Sequence, residues 1–589
     1  MATTKGDDIL IVKTARERKR MKVVIVGGVA GGATAAARLR RLDEHAEIVV
    51  FERSGYVSYA NCGLPYYIGG TIEDPQALTL QTPESFLARF NVDMRVNHEV
   101  IELYPESKLV RVKNLITGEE FDEAYDKLIL SPGAKPTQPR LPGVGLEHVF
   151  TLRTVEDTFR MKEFIDQAYP RTAVIAGGGF IGLELAENLR ELGMEVTIVQ
   201  RPKQLMKPFD PDMAAFIHAE ARKHGITLAL GHAVEGFRET GDGVEMLLKD
   251  ADPLPADMIV LAIGVTPDTH LAKEAGLEMG IKGSILVNDH METSAPDIYA
   301  VGDAVQVNHL VTGEESLISL AGPANKQGRI AADNICGLKS TYRGSQGSSV
   351  IKVFDITAAV TGVNETVART AGLEVDHVIL SPMSHAGYYP GGKLMTMKVV
   401  FEKETYRLLG AQIIGYEGVD KRIDVLATAI FAGMRATDLK DLDLAYAPPY
   451  SSAKDPVNMA GFMIENIEEG IVAQWYLDQL DVLQIETLKP DPAITLLDVR
   501  TSDEFGRGHI EGFVNIPLDE LRDHIDELDA EKPVYVICQS GLRSYVACRI
   551  LTGNGYEAYN FAGGYRYYET VMHDRALIES ARPCGADCR

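Results

Sequence analysis

The stretch "KVVIVGGVAGGAT", Lys22 to Thr34, decides the fold of the N-terminal part of this chain. Its first apolar residues predict a buried strand, its glycines a tight turn, and the alanines that follow a helix. A further apolar run, "EIVVFER", comes next. A strand, a turn, a helix and a second strand within about 30 residues predict a parallel βαβ unit.

The glycine turn of this unit predicts a dinucleotide site, because its backbone N–H groups can approach a pyrophosphate at the positive end of a helix. Gly27 and Gly32 fit the spacing G-x-G-x-x-G, whereas Val29 occupies the middle position. Glu52 lies 20 residues beyond Gly32, where a carboxylate can accept hydrogen bonds from ribose hydroxyls. The candidate binding residues of this first site are Gly27, Gly28, Val29, Ala30, Gly31, Glu52 and Arg53.

The same pattern recurs at residues 172–201, "TAVIAGGGFIGLELAENLRELGMEVTIVQR", with the full glycine spacing. Gln200 and Arg201 at the strand end leave the choice between NAD and NADP open, since an acid there favours NAD and an arginine can pair with a 2′-phosphate. Glu184 either faces the nicotinamide region or is a helix-surface side chain. The candidate residues of this second site are Gly177, Gly179, Phe180, Ile181, Gly182, Glu184, Gln200, Arg201 and Gly264.

Composition narrows the class of protein. A chain of 589 residues is too long for one core, and a net charge of −25 without a basic run argues against nucleic acid as a partner. The sequence contains no run of 18 apolar residues, so we predict no membrane span. Six cysteines are too few for a disulfide framework and suit a cytoplasmic protein. We predict no metal site.

The two dinucleotide sites, followed by "TSAPDIYAVGDA", resemble the FAD-dependent pyridine nucleotide–disulfide oxidoreductases over residues 22–465. The resemblance implies that Asp303, after Gly302, hydrogen-bonds the ribitol chain of the flavin. The stretch "LILSPGAKP", with Ser131 and Gly133, resembles the family's strand-end turn beside the FAD site. The implied cofactors are FAD and NAD(P)H.

The stretch "SYANCGLPYYIGG" resembles the coenzyme A disulfide reductase branch of that family, whose members use a single cysteine near the flavin. The resemblance makes Cys62 the redox nucleophile and places Ser58 and Asn61 at the substrate site. The missing second cysteine is then supplied by the substrate, as a mixed disulfide with coenzyme A or as a persulfide. Coenzyme A is thus a substrate or a bound carrier.

Three residues of the first helix share one face by their spacing: Thr34, Arg38 and Arg41. Two cations on one face suit a diphosphate, and the family's counterparts contact the coenzyme A nucleotide. A solvated helix face would show the same pattern.

Two later stretches, "HAGYYPGG" and "YAPPYSSAKD", resemble the tyrosine motifs of the same branch. The resemblance implies that Tyr388 and Tyr446 reach the active site across a dimer interface, where a tyrosine hydroxyl can protonate a leaving thiolate. Lys454 could meet a substrate phosphate or carbonyl from the same loop. Packing at the interface is the alternative for both tyrosines.

The C-terminal part resembles a rhodanese domain in two places, "LLDVRTSDEFGRGHIEGFVNIPL" and "CQSGLRS". The resemblance makes Cys538 a carrier of sulfane sulfur in a cradle of backbone N–H groups, which Gly541 permits and to which Arg543 adds positive charge. An inactive scaffold used for docking is the alternative.

The predicted fold class is α/β, with two Rossmann-like domains, an α+β dimerisation domain and a C-terminal α/β rhodanese domain. The predicted boundaries are 1–20 for a disordered leader, 21–150 and 268–340 for the FAD domain, 151–267 for the NAD(P) domain, 341–465 for the dimerisation domain, 466–485 for a linker, 486–575 for the rhodanese domain and 576–589 for a tail.

The predicted function is reduction of coenzyme A persulfide, polysulfide or coenzyme A disulfide by NAD(P)H through the flavin and Cys62, in a cytoplasmic homodimer. An NADH oxidase or peroxidase is the first alternative, disfavoured because Ala30 stands where that sub-branch carries a histidine. A sulfur-carrier or docking protein with a regulatory flavin module is the second.

Overall fold

A computed structural model describes residues 20–241, 243–480 and 493–580. The predicted leader therefore lies outside the described residues except for Arg20, as do Cys584 and Cys588 of the predicted tail. Within these ranges, the helices are all too short or too polar to cross a membrane.

The first unit is a parallel five-stranded sheet in the order 298–300, 127–130, 22–26, 47–52, 93–96. Val23, Val24 and Ile25 of its central strand are fully buried, as expected for a parallel strand covered on both faces. The helix Ala30–Leu42 packs against Ala321–Ile335, where a Cβ on Gly328 would come within 2.3 Å of the Gly31 carbonyl oxygen. The strands and helices of this unit are Lys22–Val26, Ala30–Leu42, Glu47–Glu52, Leu64–Ile68, Pro83–Phe90, Asp93–Val96, His98–Tyr104, Leu109–Asn114, Glu120–Ala124, Lys127–Leu130, Ala134–Pro136, His270–Glu274, Ile298–Ala300, Val307–Asn308, Glu315–Ser316 and Ala321–Ile335.

The second unit repeats this architecture, with a parallel sheet in the order 227–230, 195–200, 172–176, 258–261, 149–151. Both predicted βαβ units are therefore present. The strands and helices of this unit are Val149–Thr151, Val155–Ala168, Thr172–Ala176, Phe180–Glu191, Glu195–Gln200, Pro211–Lys223, Thr227–Leu230, Val234–Thr240, Gly243–Leu248, Leu254–Ala256, Met258–Leu261 and Val265–Pro267.

The third unit is an antiparallel five-stranded sheet with helices on it, as the change in sequence pattern predicts. Its strands and helices are Ser349–Val353, Ile356–Gly362, Glu365–Thr370, Val375–Leu380, Met395–Glu402, Leu408–Gly415, Val419–Ala432 and Pro456–Glu468.

The C-terminal unit is a parallel sheet in the order 473–475, 558–561, 534–537, 495–498, 514–515. The helix Leu542–Gly553 follows the central strand directly after the predicted sulfur loop. The strands and helices of this unit are Ala473–Trp475, Thr495–Asp498, Ser502–Arg507, Val514–Asn515, Val534–Ile537, Leu542–Gly553, Ala558–Phe561 and Gly564–Glu579.

The interpretation of 466–485 as a linker is wrong for its described part, 466–480. Ala473–Trp475 is an edge strand of the C-terminal sheet, paired in parallel with Ala558–Phe561. Trp475 is 0% exposed and its ring centroid lies 4.5 Å from that of Phe561. Burial of this large apolar side chain draws the segment into the sheet. Residues 481–485 lie outside the described residues.

A buried ion-pair network joins the C-terminal unit to the other units. Lys398 Nζ, on the antiparallel sheet, lies 2.8 Å from Asp212 and 2.6 Å from Glu365. Tyr567 of the C-terminal unit donates its hydroxyl proton to the same Asp212 carboxylate at 2.6 Å. Although burial opposes its charge, these carboxylates and Asp210 raise the pKa of Lys398.

A second contact fixes the last helix of the chain. Asp574 Oδ2 lies 2.8 Å from His218 Nδ1, and its Oδ1 lies 2.5 Å from Arg222 Nη1. His218 also accepts the backbone N–H of Leu205 at Nε2, so the neutral ring donates from Nδ1 to Asp574. Buried polar contacts therefore dock the C-terminal unit onto the other units.

Candidate active site

A cavity of about 610 Å³ opens at the carboxyl ends of the strands Lys22–Val26 and Glu47–Glu52, the place where open parallel sheets bind ligands. The predicted site residues that line it are Gly27, Val29, Ala30, Gly31, Glu52, Arg53, Asn61, Cys62, Ser131, Gly133, Gly302 and Asp303. Gly28 and Ser58 lie behind this wall, where the Ser58 N–H donates to the Gly28 carbonyl at 2.9 Å. One cavity thus collects most of the first predicted site together with the predicted nucleophile.

The glycine turn keeps the cavity open for a pyrophosphate. Gly27 has φ +94°, and a Cβ there would lie 2.1 Å from the Ser131 carbonyl oxygen. Glu52 Oε2 accepts the Gly28 N–H at 2.8 Å, and burial raises the pKa of Glu52 against the pull of this bond. Side chains in place of these glycines would not fit in the turn, and a buried carboxylate lies at the end of the site. Both features fit the FAD that the sequence predicts.

Asp303 has a partner that sequence reasoning missed. Arg153 Nη2 donates to Asp303 Oδ2 at 2.8 Å across the cavity wall. Thr154 and Asp157 form the capping box of the next helix, a local signal that locates Arg153 just before a helix start but does not reveal its partner. Arg53, also predicted for this site, pairs with Asp268 at 2.8 Å.

Cys62 lies on the short helical turn Asn61–Gly63 and is exposed on the cavity wall. The other described cysteines are distant from this turn in the fold: Cys336 ends the helix Ala321–Ile335, and Cys538 and Cys548 belong to the C-terminal unit. Asn61 Oδ1, beside it, is buried and has no hydrogen-bond partner among the described residues. This acceptor fits a donor from a bound ligand.

The protein side chains around Cys62 hold it as a thiol. Burial, and then the negative charge of Glu184, raise the pKa of Cys62, while Arg153 opposes the shift. Burial and the neighbouring Glu187 raise the pKa of Glu184 itself to about 7, with a hydrogen bond from Tyr66 acting against them. Of the two interpretations of Glu184, the first fits this geometry better: its side chain faces the reaction centre and is not simply on the helix surface.

The second glycine turn has the geometry of the first. Gly177 has φ +116°, and Gly179 precedes the helix that begins at Phe180 and contains Ile181 and Gly182. Gln200 Oε1 accepts the Gly178 N–H at 3.3 Å, as Glu52 does from Gly28, and Arg201 is exposed beside it. Gly264, with φ +110°, follows the neighbouring strand. Because the exposed Arg201 lies next to the neutral Gln200, this site is compatible with both NADH and NADPH.

The two predicted tyrosines contact each other and do not line the cavity. The hydroxyl oxygens of Tyr388 and Tyr446 lie 2.6 Å apart, and the two side chains are exposed. The hydrogen bond with Tyr388 raises the pKa of Tyr446. Lys454 is exposed near the start of the helix Pro456–Glu468. None of the three lines the cavity of its own chain.

The predicted coenzyme A face of the first helix has partners on the helix Ala321–Ile335. Thr34 Oγ1 donates to Asn325 Oδ1 at 2.7 Å, and Arg38 Nε lies 2.7 Å from Asp333 Oδ1. Arg41 is exposed. Arg38 is therefore not the free cation that spacing alone suggests, and its charge is partly neutralised.

Cys538 is 0% exposed and stands at the end of the central strand of its sheet. Its sulfur accepts the Gly541 N–H at 3.1 Å and the Ser544 hydroxyl at 3.2 Å. Gly541 has φ +93°, which lets the loop turn its N–H inward. Arg543, predicted to add positive charge, forms a bidentate ion pair with Glu504 instead.

Among the residues that the structure describes, one cluster outside these sites has side chains that could hold a metal ion, although the sequence predicts no metal site. Oxygen and nitrogen atoms of Glu220, His224 and Asp355 lie within 4.8 Å of one another. Lys223 Nζ already pairs with both carboxylates, at 3.2 and 2.8 Å. The ammonium group supplies the positive charge that an ion would bring.

Residues 21–328 match the family model "Pyridine nucleotide-disulphide oxidoreductase". This chain belongs to the pyridine nucleotide-disulphide oxidoreductase family. It is an oxidoreductase with FAD and NAD(P)H as cofactors. Residues 348–456 match the dimerisation domain of these oxidoreductases, and residues 481–570 match the rhodanese-like domain.

Relatives within this oxidoreductase family share the first three units. A coenzyme A disulfide reductase of Staphylococcus epidermidis is 36% identical over 75% of this chain and 99% of its own length. A coenzyme A disulfide reductase of Staphylococcus haemolyticus is 35% identical over 76% of this chain and 100% of its own.

Solved structures extend the likeness to the C-terminal unit. Reduced CoADR-RHD of Bacillus anthracis is 48% identical, with a TM-score of 0.91 over 94% of this chain and 99% of its own. A NAD-dependent persulfide reductase from A. fulgidus is 37% identical, with a TM-score of 0.87 over 93% of this chain and 100% of its own. A water-forming NADH oxidase from Lactobacillus brevis is 29% identical, with a TM-score of 0.74 over 77% of this chain and 100% of its own.

Proposed function

We propose that this oxidoreductase uses NAD(P)H to reduce coenzyme A persulfide, polysulfide or coenzyme A disulfide at Cys62, while the rhodanese-like unit handles sulfane sulfur. The observation that carries the proposal is the position of Cys62, alone among the described cysteines on the wall of the cavity that fits FAD. Similarity to coenzyme A disulfide reductases, and to a NAD-dependent persulfide reductase over 93% of this chain, supports it.

Cys62 attacks a substrate sulfur as the thiolate. The bond between Cys62 and that sulfur forms, the substrate S–S bond breaks, and the departing thiolate takes a proton. For a persulfide the overall balance is R–S–SH + NADH + H⁺ → R–SH + H₂S + NAD⁺. When bound, FAD supplies two-electron transfer between the nicotinamide and the sulfur. Tyr446, whose pKa is raised, stays protonated at neutral pH and is the proposed donor to the departing thiolate.

The active unit in this proposal is a cytoplasmic homodimer. Tyr388, Tyr446 and Lys454 are exposed and lie away from the Cys62 cavity of their own chain, within or next to the part that matches a dimerisation domain. A second copy would place these side chains at the Cys62 site of its partner.

The alternatives explain less of the chain. An NADH oxidase gains support from the likeness to the Lactobacillus brevis enzyme, but that likeness covers 77% of this chain, against 94% for CoADR-RHD. Ala30 also lines the cavity where the oxidase sub-branch would need its histidine. A sulfur-carrier or docking protein with a regulatory flavin module gives no role to Cys62 on the cavity wall.

The test is anaerobic oxidation of NADH and of NADPH by the holoenzyme, offered coenzyme A disulfide, coenzyme A persulfide and polysulfide in parallel. Cys62→Ser should keep bound FAD and lose at least about a hundredfold in kcat, because it removes the nucleophile. Cys336→Ser, at a half-buried cysteine of the same unit, is the control and should retain the rate. Full activity in Cys62→Ser would refute the proposal.

A further inference from the structure

The sulfur loop of the C-terminal unit carries no free cation, and this property bears on the donor it accepts. Arg543 is the only charged residue between Cys538 and Ser544. Its Nη1 and Nη2 atoms donate to the two carboxylate oxygens of Glu504 at 2.7 and 2.8 Å. A bidentate pair of this kind fixes the guanidinium and cancels its charge.

Glu504 is itself held in place for this contact. It occupies the third position of the helix Ser502–Arg507, where the Thr501 N–H donates to its Oε2 at 3.0 Å. Thr501 Oγ1 accepts the Glu504 N–H in return, which completes a capping box. The carboxylate therefore cannot leave Arg543 without breaking a helix cap.

The other two arginines next to the loop direct their guanidinium groups mainly to other partners. Arg500 is buried and pairs with Asp498 at 2.7 Å, and only its Nη1 reaches Gln539 of the loop, at 3.4 Å. The Arg566 backbone N–H donates to the Gln539 carbonyl, but its guanidinium points away, with Nη2 2.5 Å from Thr396 Oγ1 on the antiparallel sheet. Within the described residues, the donors to the Cys538 sulfur are the Gly541 backbone N–H and the Ser544 hydroxyl, and no side-chain cation hydrogen-bonds it.

Such a site suits a sulfur donor with at most one negative charge. Thiosulfate is a dianion, and its binding needs compensating positive charge that the Glu504–Arg543 pair withholds. The loop instead presents an apolar side chain, since Leu542 is 69% exposed. An organic persulfide offers a single terminal sulfur to the N–H cradle and an uncharged stem to this surface.

We propose that the Glu504–Arg543 pair is a specificity device that selects organic persulfides over thiosulfate as sulfur donors to Cys538. Glu504 is a positioning residue that acts through Arg543. In the transfer, the Cys538 thiolate attacks the outer sulfur of R–S–SH, the Cys538–S bond forms, the donor S–S bond breaks, and R–S⁻ leaves with the electron pair and takes a proton from water. The inference rests on the proposed sulfur-handling role of this unit and requires no electron from NAD(P)H.

The test measures sulfur loading on Cys538 in the full chain without NAD(P)H, by mass spectrometry of the Cys538 peptide. The persulfide of 2-mercaptoethanol, whose stem is uncharged, and thiosulfate are the two donors, at equal concentration and ionic strength. The wild-type protein should load from the persulfide at least about tenfold faster than from thiosulfate. Equal loading from both donors would overturn the proposal, whereas failure of the reductase assay with Cys62 would not affect this result.

Glu504→Gln keeps the capacity for a capping box and frees the Arg543 charge. It should lower KM for thiosulfate by about tenfold, leave the rate with persulfide within about twofold, and make thiosulfate loading fall with added salt. Asp503→Asn removes an exposed carboxylate from the same helix and is the matched control, with no change in donor ratio.

A double variant, Glu504→Gln with Arg543→Gln, separates the gain of a free cation from the loss of a structural contact. Without Arg543 there is no charge to release, so its thiosulfate loading should stay at the wild-type level. If the double variant gained thiosulfate activity as Glu504→Gln does, or if Glu504→Gln left the donor ratio unchanged, the proposed role of the pair would be wrong.

Discussion

The hydroxyl groups of Tyr388 and Tyr446 share a hydrogen bond of 2.6 Å although 58 residues separate them in the chain. Both are exposed, at 75% and 45%, which is unusual for a tyrosine pair that is only structural. The shared proton raises the pKa of Tyr446, so it remains a proton donor at neutral pH. In the proposed reaction, the pair would meet a substrate bound at the Cys62 site of the partner chain.

Tyr446→Phe should lower kcat with coenzyme A disulfide by at least about tenfold, because it removes the proposed proton donor without changing the ring. The measurement is steady-state NADH oxidation. Tyr389→Phe, at an exposed tyrosine next to Tyr388, is the control and should be close to wild type. An unchanged kcat in Tyr446→Phe would leave the pair with a packing role.

Mixing two variants of the chain tests which subunit supplies Tyr446 to the active site. Heterodimers of Cys62→Ser and Tyr446→Phe chains contain one intact site if Tyr446 acts across the interface, since the wild-type Cys62 of one chain then meets the wild-type Tyr446 of the other. Activity should rise on mixing to about a quarter of the wild-type value for random pairing. No recovery would place Tyr446 at the site of its own chain.

Glu184→Gln should shift the ionisation of Cys62 to lower pH. Burial and the charge of Glu184 raise the pKa of Cys62, and Glu184 carries that charge above its own pKa of about 7. Removing the charge lowers the Cys62 pKa, so alkylation of Cys62 by iodoacetamide should reach half of its maximal rate at a lower pH than in the wild-type protein.

The alkylation is followed by mass spectrometry of the Cys62 peptide in the reduced holoenzyme. Glu191→Gln, an exposed carboxylate at the end of the same helix, is the control and should leave the profile unchanged. A profile in Glu184→Gln that moves to higher pH would contradict the assigned direction of the electrostatic effect.

Lys398→Met should weaken the docking of the C-terminal unit. Removing a buried cation leaves Asp210, Asp212 and Glu365 together without their counter-charge, at a cost of about 3–5 kcal/mol in the free energy of unfolding. Urea denaturation followed by circular dichroism, and limited proteolysis, should both show earlier release of this unit. Lys403→Met, on the exposed end of the same hairpin, is the control; equal protease resistance of the two variants would contradict the prediction.

Arg201→Ala should raise KM for NADPH by about tenfold and leave KM for NADH nearly unchanged, because Arg201 is the exposed cation next to the neutral Gln200. Lys203→Ala removes a nearby exposed cation and serves as the control. Equal effects on both cofactors would show that Arg201 does not meet the 2′-phosphate.

Local sequence was sufficient for the parts of this fold that local physics determines. The glycine turns at Gly27 and Gly177 combine an apolar strand, a positive φ and a helix start within a few residues, so the units around them could be predicted. Cys62 stood out for the same reason, since its neighbours form one continuous motif. The antiparallel unit was recognisable from its alternation of apolar and polar residues.

Contacts between distant residues were not predictable. Arg153 and Asp303 lie 150 residues apart, and Lys398 and Asp212 lie 186 apart, so no period or motif connects them. Arg543 and Glu504 are 39 apart and belong to two separate rhodanese-like stretches. Trp475 was misassigned because a three-residue edge strand carries too little pattern to be distinguished from a linker.

Trp475 also gives the molecule an optical property. It is the only tryptophan of the chain, it is completely buried, and it sits in the strand that joins the reductase units to the sulfur-carrying unit. Ultraviolet emission from tryptophan depends on the polarity around the indole ring, so all of this emission originates at that junction. Trp475 fluorescence therefore reports whether water reaches this junction while sulfur is loaded and reduced.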